Sequence, residues 1–201
     1  MTRLAVIDHG AGNLVSITRA LEHVGASVAT VETATDLSPY DGVVLPGVGA
    51  TGAVMRNMQR RDLVDPVRRY DGPLLGICVG MQVLFDHSDE NDNPCLGLLR
   101  GNVRRLEAET LPHMGWNDVT GDDPILGGRS RALYFVHSYA VDPDGIDIVT
   151  GSSSVEGDRF PSIVRSGRIL GVQFHPERSG ADGLEVLRRF TSEAGGQSRA
   201  A

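Results

Sequence analysis

The chain has 201 residues and no long structureless stretch, which fits one domain; a chain of this size buries a substantial core without disulfides or structural metals. Its formal charge is −7, from 26 acidic against 19 basic residues, which argues against nucleic acid as a partner because phosphate binding needs clustered positive charge. No apolar run approaches the roughly 18 residues that span a bilayer, so no membrane partner is expected. The opening MTRLAVIDHG enters a strand-like segment directly and lacks the apolar stretch of a signal peptide. Cys78 and Cys95 are too few for a secreted disulfide framework, so the expected compartment is the cytoplasm. All 19 basic residues are arginine, which excludes side-chain Schiff bases, pyridoxal phosphate attachment and a P-loop lysine.

In chain order, residues 3–8 (RLAVID) form a β-rich run that ends at the loop His9-Gly10-Ala11-Gly12. From Asn13 onward, Leu14, Ile17, Leu21 and Val24 fall at helical spacing, and Gly25 closes that helix as its C′ residue. Residues 26–31 make a second strand and 41–45 a third, stopped by Pro46-Gly47-Val48-Gly49. A helix is predicted over 52–69, with Pro66 marking a break or a new first turn. Gly72-Pro73 introduces LLGI (74–77), an apolar run expected of a strand covered on both faces. Strands alternating with helical patterns predict an open parallel sheet with helices on both sides.

Between 93 and 175 the pattern changes to short β-like runs: NVRRLE, PHMGWNDV, ALYFVHSYAV, DIVTGS, SIVRSG and ILGVQF. Glycines and Asp-Pro or Pro-Asp pairs separate them, which predicts hairpins and an antiparallel extension. A last helix over about 182–193 carries Leu184, Leu187 and Phe190 on one face, and the small, polar tail at 196–201 is expected to be disordered. The fold class is α/β: one domain over 1–195, with an open, mostly parallel sheet flanked by helices and an antiparallel β extension.

Gly76-Ile77-Cys78-Val79-Gly80 places a nucleophile between two glycines at a strand end, with MQVLFDH predicted to continue as a helix. Such a strand-to-helix elbow holds its central residue in a strained conformation and projects it above the carboxyl edge of the sheet. The positive end of the following helix favours the thiolate. An isolated cysteine is more often a buried structural residue, the reading that suits Cys95 in Asn93-Pro94-Cys95-Leu96. The nucleophile needs a base, and six histidines compete for that role. His23 and His87 sit late in predicted helices, His9 and His113 in loops without an obvious partner, and His137 inside a β-like run. His175 ends the strand Gly171-Val172-Gln173-Phe174 and precedes Pro176, so its backbone is extended and Glu177 points the same way as its imidazole. A carboxylate there fixes the tautomer and stabilises the imidazolium. On its own an H-x-E segment is as easily a surface turn.

Pro46-Gly47-Val48-Gly49, also directly after a strand, is a glycine-permitted loop able to present backbone N–H groups to an oxyanion, with the Val79 amide as a second donor. Metal chemistry fares poorly, since there is no C-x-x-C and no helical His pair; no metal and no cofactor are expected. Gly10-Ala11-Gly12 lacks the third glycine of a dinucleotide fingerprint, with Val15 in its place.

GICVGMQ (76–82) followed about a hundred residues later by QFHPE (173–177) resembles the class I, triad-type glutamine amidotransferase family, whose fold is flavodoxin-like. DHGAGN (8–13), PHMGWN (112–117) and YFVHSY (134–139) narrow the resemblance to the glutaminase subunits of imidazole glycerol phosphate synthases in histidine biosynthesis, over about residues 3–192. The resemblance implies that Cys78 attacks the side-chain amide of L-glutamine, His175 shuttles the proton and Glu177 orients it. It implies an oxyanion site at Gly47, Val48 and Val79, and a glutamine site at Gly49, Gln82, His137, Ser138 and Tyr139. It further implies a heterodimer with a (β/α)8 cyclase subunit that receives the ammonia and makes imidazole glycerol phosphate and AICAR. Asn13, Met114, Trp116 and Arg178 are the implied partner contacts. The chain departs from the usual family pattern at His9, where Tyr is common, and at Arg178, where Lys is common.

Other readings differ in their consequences. A glutaminase of this fold feeding a pyridoxal phosphate synthase fits the triad but not YFVHSY and HMGWN. A free-standing cysteine hydrolase would turn over peptides without a partner, and a non-catalytic regulatory domain would tolerate loss of Cys78.

Overall fold

The computed structural model describes residues 1–10 and 13–197. Its first half alternates strand and helix: β1 (Arg3–Ile7), α1 (Leu14–His23), β2 (Ser27–Val31), β3 (Gly42–Gly47), α2 (Thr51–Arg60), α3 (Val64–Arg69), β4 (Leu74–Cys78) and α4 (Val79–Gln82). Asn13 caps α1 by accepting a hydrogen bond from the Ser16 amide, and Gly25, at φ +96°, follows as the left-handed C′ residue. Ile17, Ala20 and Leu21 form the buried stripe of that helix. The helix expected over 52–69 divides in two, and Pro66 marks a new first turn. Asp62 turns the chain at φ +56°, and Pro66 then sits in the first turn of α3, where its missing N–H has no intrahelical partner to lose.

The second half comprises β5 (His87–Ser88), β6 (Asn93–Pro94), β7 (Gly101–Arg105), β8 (His113–Gly121), β9 (Arg131–His137), β10 (Tyr139–Pro143), β11 (Val149–Val155), β12 (Asp158–Ser166), β13 (Ile169–Val172) and α5 (Gly180–Gln197). Among the described residues one nine-stranded sheet runs β2-β1-β3-β4-β13-β12-β11-β8-β9, and a second sheet runs β10-β7-β5-β6. The segment β2-β1-β3-β4-β13 is parallel, and β12, β11, β8 and β9 continue it antiparallel. Strand order reverses at β1, so right-handed crossovers send α1 and α2 to opposite faces. Consistently, α1 packs against α5, and α2 against α3 and α4. The parallel strands are covered on both faces and read as apolar runs: Leu4–Ile7, Val43–Leu45 and Leu74–Ile77 are all buried. The bidentate pair of Arg104 on β7 with Asp158 on β12, at 2.8 and 2.7 Å, ties the second sheet to the first.

Four expectations need correction. The helix after Cys78 is a single turn, because the carbonyls of Val83, Leu84 and Phe85 accept hydrogen bonds from residues 96–99 instead of continuing the helix. His87 therefore lies in a strand, not late in a helix. The run ALYFVHSYAV divides at Ser138 between the two sheets. The last helix starts at Gly180 and takes in Gly196 and Gln197 of the expected tail; 198–201 lie outside the described residues, as do Ala11 and Gly12 of the first loop. No described helix is long and apolar enough to cross a membrane.

β3 and the turn after β4 are packed backbone to backbone. A Cβ on Gly80 would stand 1.8 Å from the Leu45 carbonyl oxygen, and one on Gly47 would stand 2.6 Å from the Gly80 nitrogen. Both obstacles are backbone and cannot rotate away. Gly80→Ala is expected to destabilise the fold by about 3 kcal/mol or more, read from chemical denaturation, whereas Gly25→Ala, with open space around it, loses only the left-handed preference of about 1 kcal/mol.

Candidate active site

The carboxyl ends of β3, β4 and β13 lie side by side, and the residues that follow them converge. Cys78 ends β4 at φ +54° and ψ −112°, a conformation few side-chain-bearing residues adopt. Gly76 permits it, since a Cβ there would meet Gly80, Met81 and Leu84 at 2.8 Å. The thiol is nearly buried, 3.9 Å from the Val136 carbonyl, and the Gln173 side-chain amide approaches it at 3.6 Å.

His175 arrives from the β13 side. Its backbone amide donates to the Tyr134 carbonyl at 2.8 Å, which fastens the segment after β13 to β9. Its Nδ1 bonds Glu177 Oε1 at 2.9 Å, and both side chains are more than nine-tenths buried. The extended path expected here stops at His175; Pro176–Arg178 form a 3₁₀ turn, and it is that turn which brings the carboxylate back to the ring. The carboxylate can only accept, so Nδ1 carries the proton and Nε2 is the free nitrogen. Nε2 has no hydrogen-bond partner among the described residues, and His175 and Cys78 line the same cavity. Burial alone would lower the His175 pKa; the Cys78 thiol and the Glu177 carboxylate outweigh it and lift it to about 10. Cys95, by contrast, is buried away from this cavity, and burial pushes its thiol up to about 11.

The cavity measures about 320 Å³. Val48, Val79, Gly49, Gln82, His137, Ser138 and Tyr139 line it together with Cys78 and His175. Gly47 does not reach it; it borders a narrow crevice behind the site with Asn13, Ile17, Ile77 and Glu177. Gln82 donates to the Tyr139 carbonyl at 2.8 Å and to Gln173 Oε1 at 3.1 Å. His137 Nδ1 bonds the same carbonyl at 2.8 Å, and burial lowers its pKa to about 4 against the raising effect of that bond.

Some contributors escaped sequence reasoning. Glu90 brings the one carboxylate of the described lining, from a loop with no motif of its own; its Oε2 accepts the Thr51 amide at the start of α2 at 2.8 Å. Gln173 lies within the matched QFHPE run yet had no assigned role. His113, expected in a loop without a partner, sits on β8 and bonds His137. His9 is fully buried and bonds the Pro46 carbonyl through Nε2 at 2.8 Å.

Trp116 and Met114 project from β8 at 59% and 62% exposure, so the single tryptophan is outside the core. Trp116 stands edge-on to Tyr134, and the Arg178 guanidinium lies 4.7 Å from the centre of the same Tyr134 ring. Val48 and Val15 add exposed apolar surface, while Asn13 is occupied as the helix cap.

Residues 5–194 match the family described as Glutamine amidotransferase class-I. The chain is 44% identical over 191 residues to imidazole glycerol phosphate synthase subunit HisH of Idiomarina loihiensis, covering 93% of this chain and 96% of that protein. It is likewise 44% identical over 200 residues to the subunit of the same name from Halobacterium salinarum, covering 93% and 91%. Among solved structures it resembles a glutamine amidotransferase, with TM-score 0.77, 22% identity, and coverage of 95% and 98%. It also resembles PurLQS from Thermotoga maritima, with TM-score 0.73, 19% identity, and coverage of 95% and 98%. These likenesses to solved structures speak for the fold alone. On the family match and the near full-length identities, the chain belongs to the class-I glutamine amidotransferase family and, within it, to the group of imidazole glycerol phosphate synthase subunits HisH.

Proposed function

We propose that the chain is the glutaminase subunit of a cytoplasmic imidazole glycerol phosphate synthase, hydrolysing L-glutamine and passing the ammonia to a cyclase subunit. The observation that carries the reading is the strained Cys78 facing one cavity with an imidazole already bonded to a buried carboxylate. The Cys78 thiolate attacks the side-chain amide carbon of glutamine. The amides of Val48 and Val79 receive the oxyanion, with Gly47 letting the loop start close against the turn that carries Val79. The His175 imidazolium, held in its tautomer by Glu177, gives its proton to the departing nitrogen, and ammonia leaves a thioester on Cys78. Water, deprotonated by His175, then attacks the thioester and frees glutamate.

Gly49, Gln82 and the His137-Ser138-Tyr139 segment surround the amino-acid end of the substrate. Glu90 supplies the negative charge an α-ammonium group requires, an assignment its place in the cavity wall supports. Trp116, Met114 and Arg178, with Asn13 nearby, form the face for the cyclase, which joins the ammonia to a phosphoribulosyl-formimino ribotide to give imidazole glycerol phosphate and AICAR. A dry passage between subunits keeps ammonia unprotonated and nucleophilic. An exposed tryptophan such as Trp116 is the kind of anchor such an interface uses.

The first test is glutamate release by the purified chain, alone and with the cyclase subunit plus its ribotide ligand. Stimulation by the partner is expected, and Cys78→Ala should remove the activity by at least about 1,000-fold. Activity unaffected by the cyclase would move the protein to another pathway, and no activity in any mixture would overturn the reading.

Electrostatics gives a second test. The stabilising charge on His175 is present in full below its ordinary value of 6.5 and is lost as pH rises through about 10. Glu177→Gln keeps an acceptor for Nδ1 but removes the charge, so the His175 pKa falls and the thiolate loses its counter-ion. Alkylation of Cys78 near neutral pH is expected to slow by about tenfold. Glu90→Gln should raise the glutamine KM by about tenfold or more with kcat little changed, measured in the same complex.

A further inference from the structure

We propose that His113 is a positioning residue for glutamine binding, acting through His137 to hold the Ser138–Tyr139 backbone; the inference rests on the glutaminase reading above. His113 itself is absent from the cavity wall. Its Nδ1 lies 3.2 Å from His137 Nε2, its Nε2 lies 3.1 Å from Asn117 Nδ2, and His137 Nδ1 lies 2.8 Å from the Tyr139 carbonyl.

These contacts fix the protons. A carbonyl only accepts, so His137 Nδ1 carries hydrogen and, in the neutral ring, Nε2 is a bare acceptor. His113 Nδ1 must then donate to it, which leaves His113 Nε2 as an acceptor for the Asn117 amide. Asn117 is oriented in turn, donating also to the Ser154 carbonyl at 2.9 Å and accepting the Asp118 amide through Oδ1 at 2.8 Å. Every hydrogen bond in the chain has one possible direction, and reversing any of them leaves two donors or two acceptors face to face.

The surroundings keep both rings neutral. Phe160 lies edge-on to both imidazoles, at 5.8 Å from His113 and 5.0 Å from His137, and Phe135 lies tilted to them at 5.3 and 5.6 Å. Burial lowers the pKa of both histidines, and proximity to His113 and then to His175 adds to the effect on His137. At the other end, the Tyr139 carbonyl is also held by Gln82, whose amide bonds Gln173, the side chain beside Cys78 Sγ. One carbonyl on the substrate wall is thus clamped from the nucleophile side by Gln82 and from the β8 side by the two histidines. Loss of the β8 clamp loosens the wall that contacts bound glutamine without touching the reacting atoms, so the effect belongs in KM.

The test uses the complex with the cyclase subunit plus its ribotide ligand. His113→Leu is expected to raise the glutamine KM by about tenfold with kcat within about threefold. His113→Asn, whose amide nitrogen falls near the Nδ1 position, should restore KM to within about threefold. An unchanged KM in His113→Leu, or a fall in kcat alone, would overturn the inference. Imidazole ¹⁵N spectra of the unmodified chain give an independent reading that needs no variant to fold. A protonated Nδ1 and bare Nε2 on both His113 and His137 support the relay, and either opposite tautomer overturns it. If the unmodified complex releases no glutamate, the glutaminase reading falls whatever the spectra show; an active complex with a KM indifferent to His113 removes the positioning role alone.

Discussion

The site depends on how tightly the turn after β4 is pressed against the end of β3. With the Leu45 carbonyl filling the place of a Gly80 side chain, the backbone at Val79–Gly80 has no freedom to relax, and Cys78 is left at positive φ. Strain of this kind costs about 1–3 kcal/mol and persists only where the surroundings over-determine it. Here the buried strands β3, β4 and β13, in parallel register, provide that rigidity. The same approach puts Val48, Gly49 and Val79 on one cavity wall.

Two hydrogen-bonded chains then place the remaining groups. One runs from the Glu177 carboxylate to His175 and leaves Nε2 as the free nitrogen on the cavity. The other runs from Cys78 Sγ through Gln173 and Gln82 to the Tyr139 carbonyl, where it meets His137. With so many buried polar groups, direction matters as much as distance, because a mismatched donor or acceptor in a dry interior costs more than the bond it replaces contributes. The strand β8 alternates between these roles: His113 and Asn117 face inward, while Met114 and Trp116 face solvent one residue away.

Local pattern was enough for much of this. The Gly-x-Cys-x-Gly spacing announces the elbow because only glycine fits on either side of it. His-Pro-Glu announces a carboxylate beside the imidazole, but by a different route from the extended backbone expected of it: the chain turns into a 3₁₀ helix at Pro176–Arg178, and that turn brings Glu177 back to His175. The apolar runs of β1, β3 and β4 and the stripe of α1 follow directly from burial on two faces or one. What local pattern missed lies where another segment competes for the backbone. The helix after Cys78 stops after one turn because residues 96–99 take its carbonyls, and Glu90 enters the cavity wall because the start of α2 draws in its carboxylate.

The two short motifs around Cys78 and His175 therefore determine which groups the candidate site presents, since each is built from neighbours within a few residues. Bringing Cys78 beside His175, about a hundred positions later, required β13 to pair with β4 across the sheet. Seating His113 against His137 required β8 to pair with β9, in a register that sets those two residues opposite one another. Neither contact leaves a trace in periodicity or spacing, because strand pairing is decided by which apolar faces the whole fold can bury together.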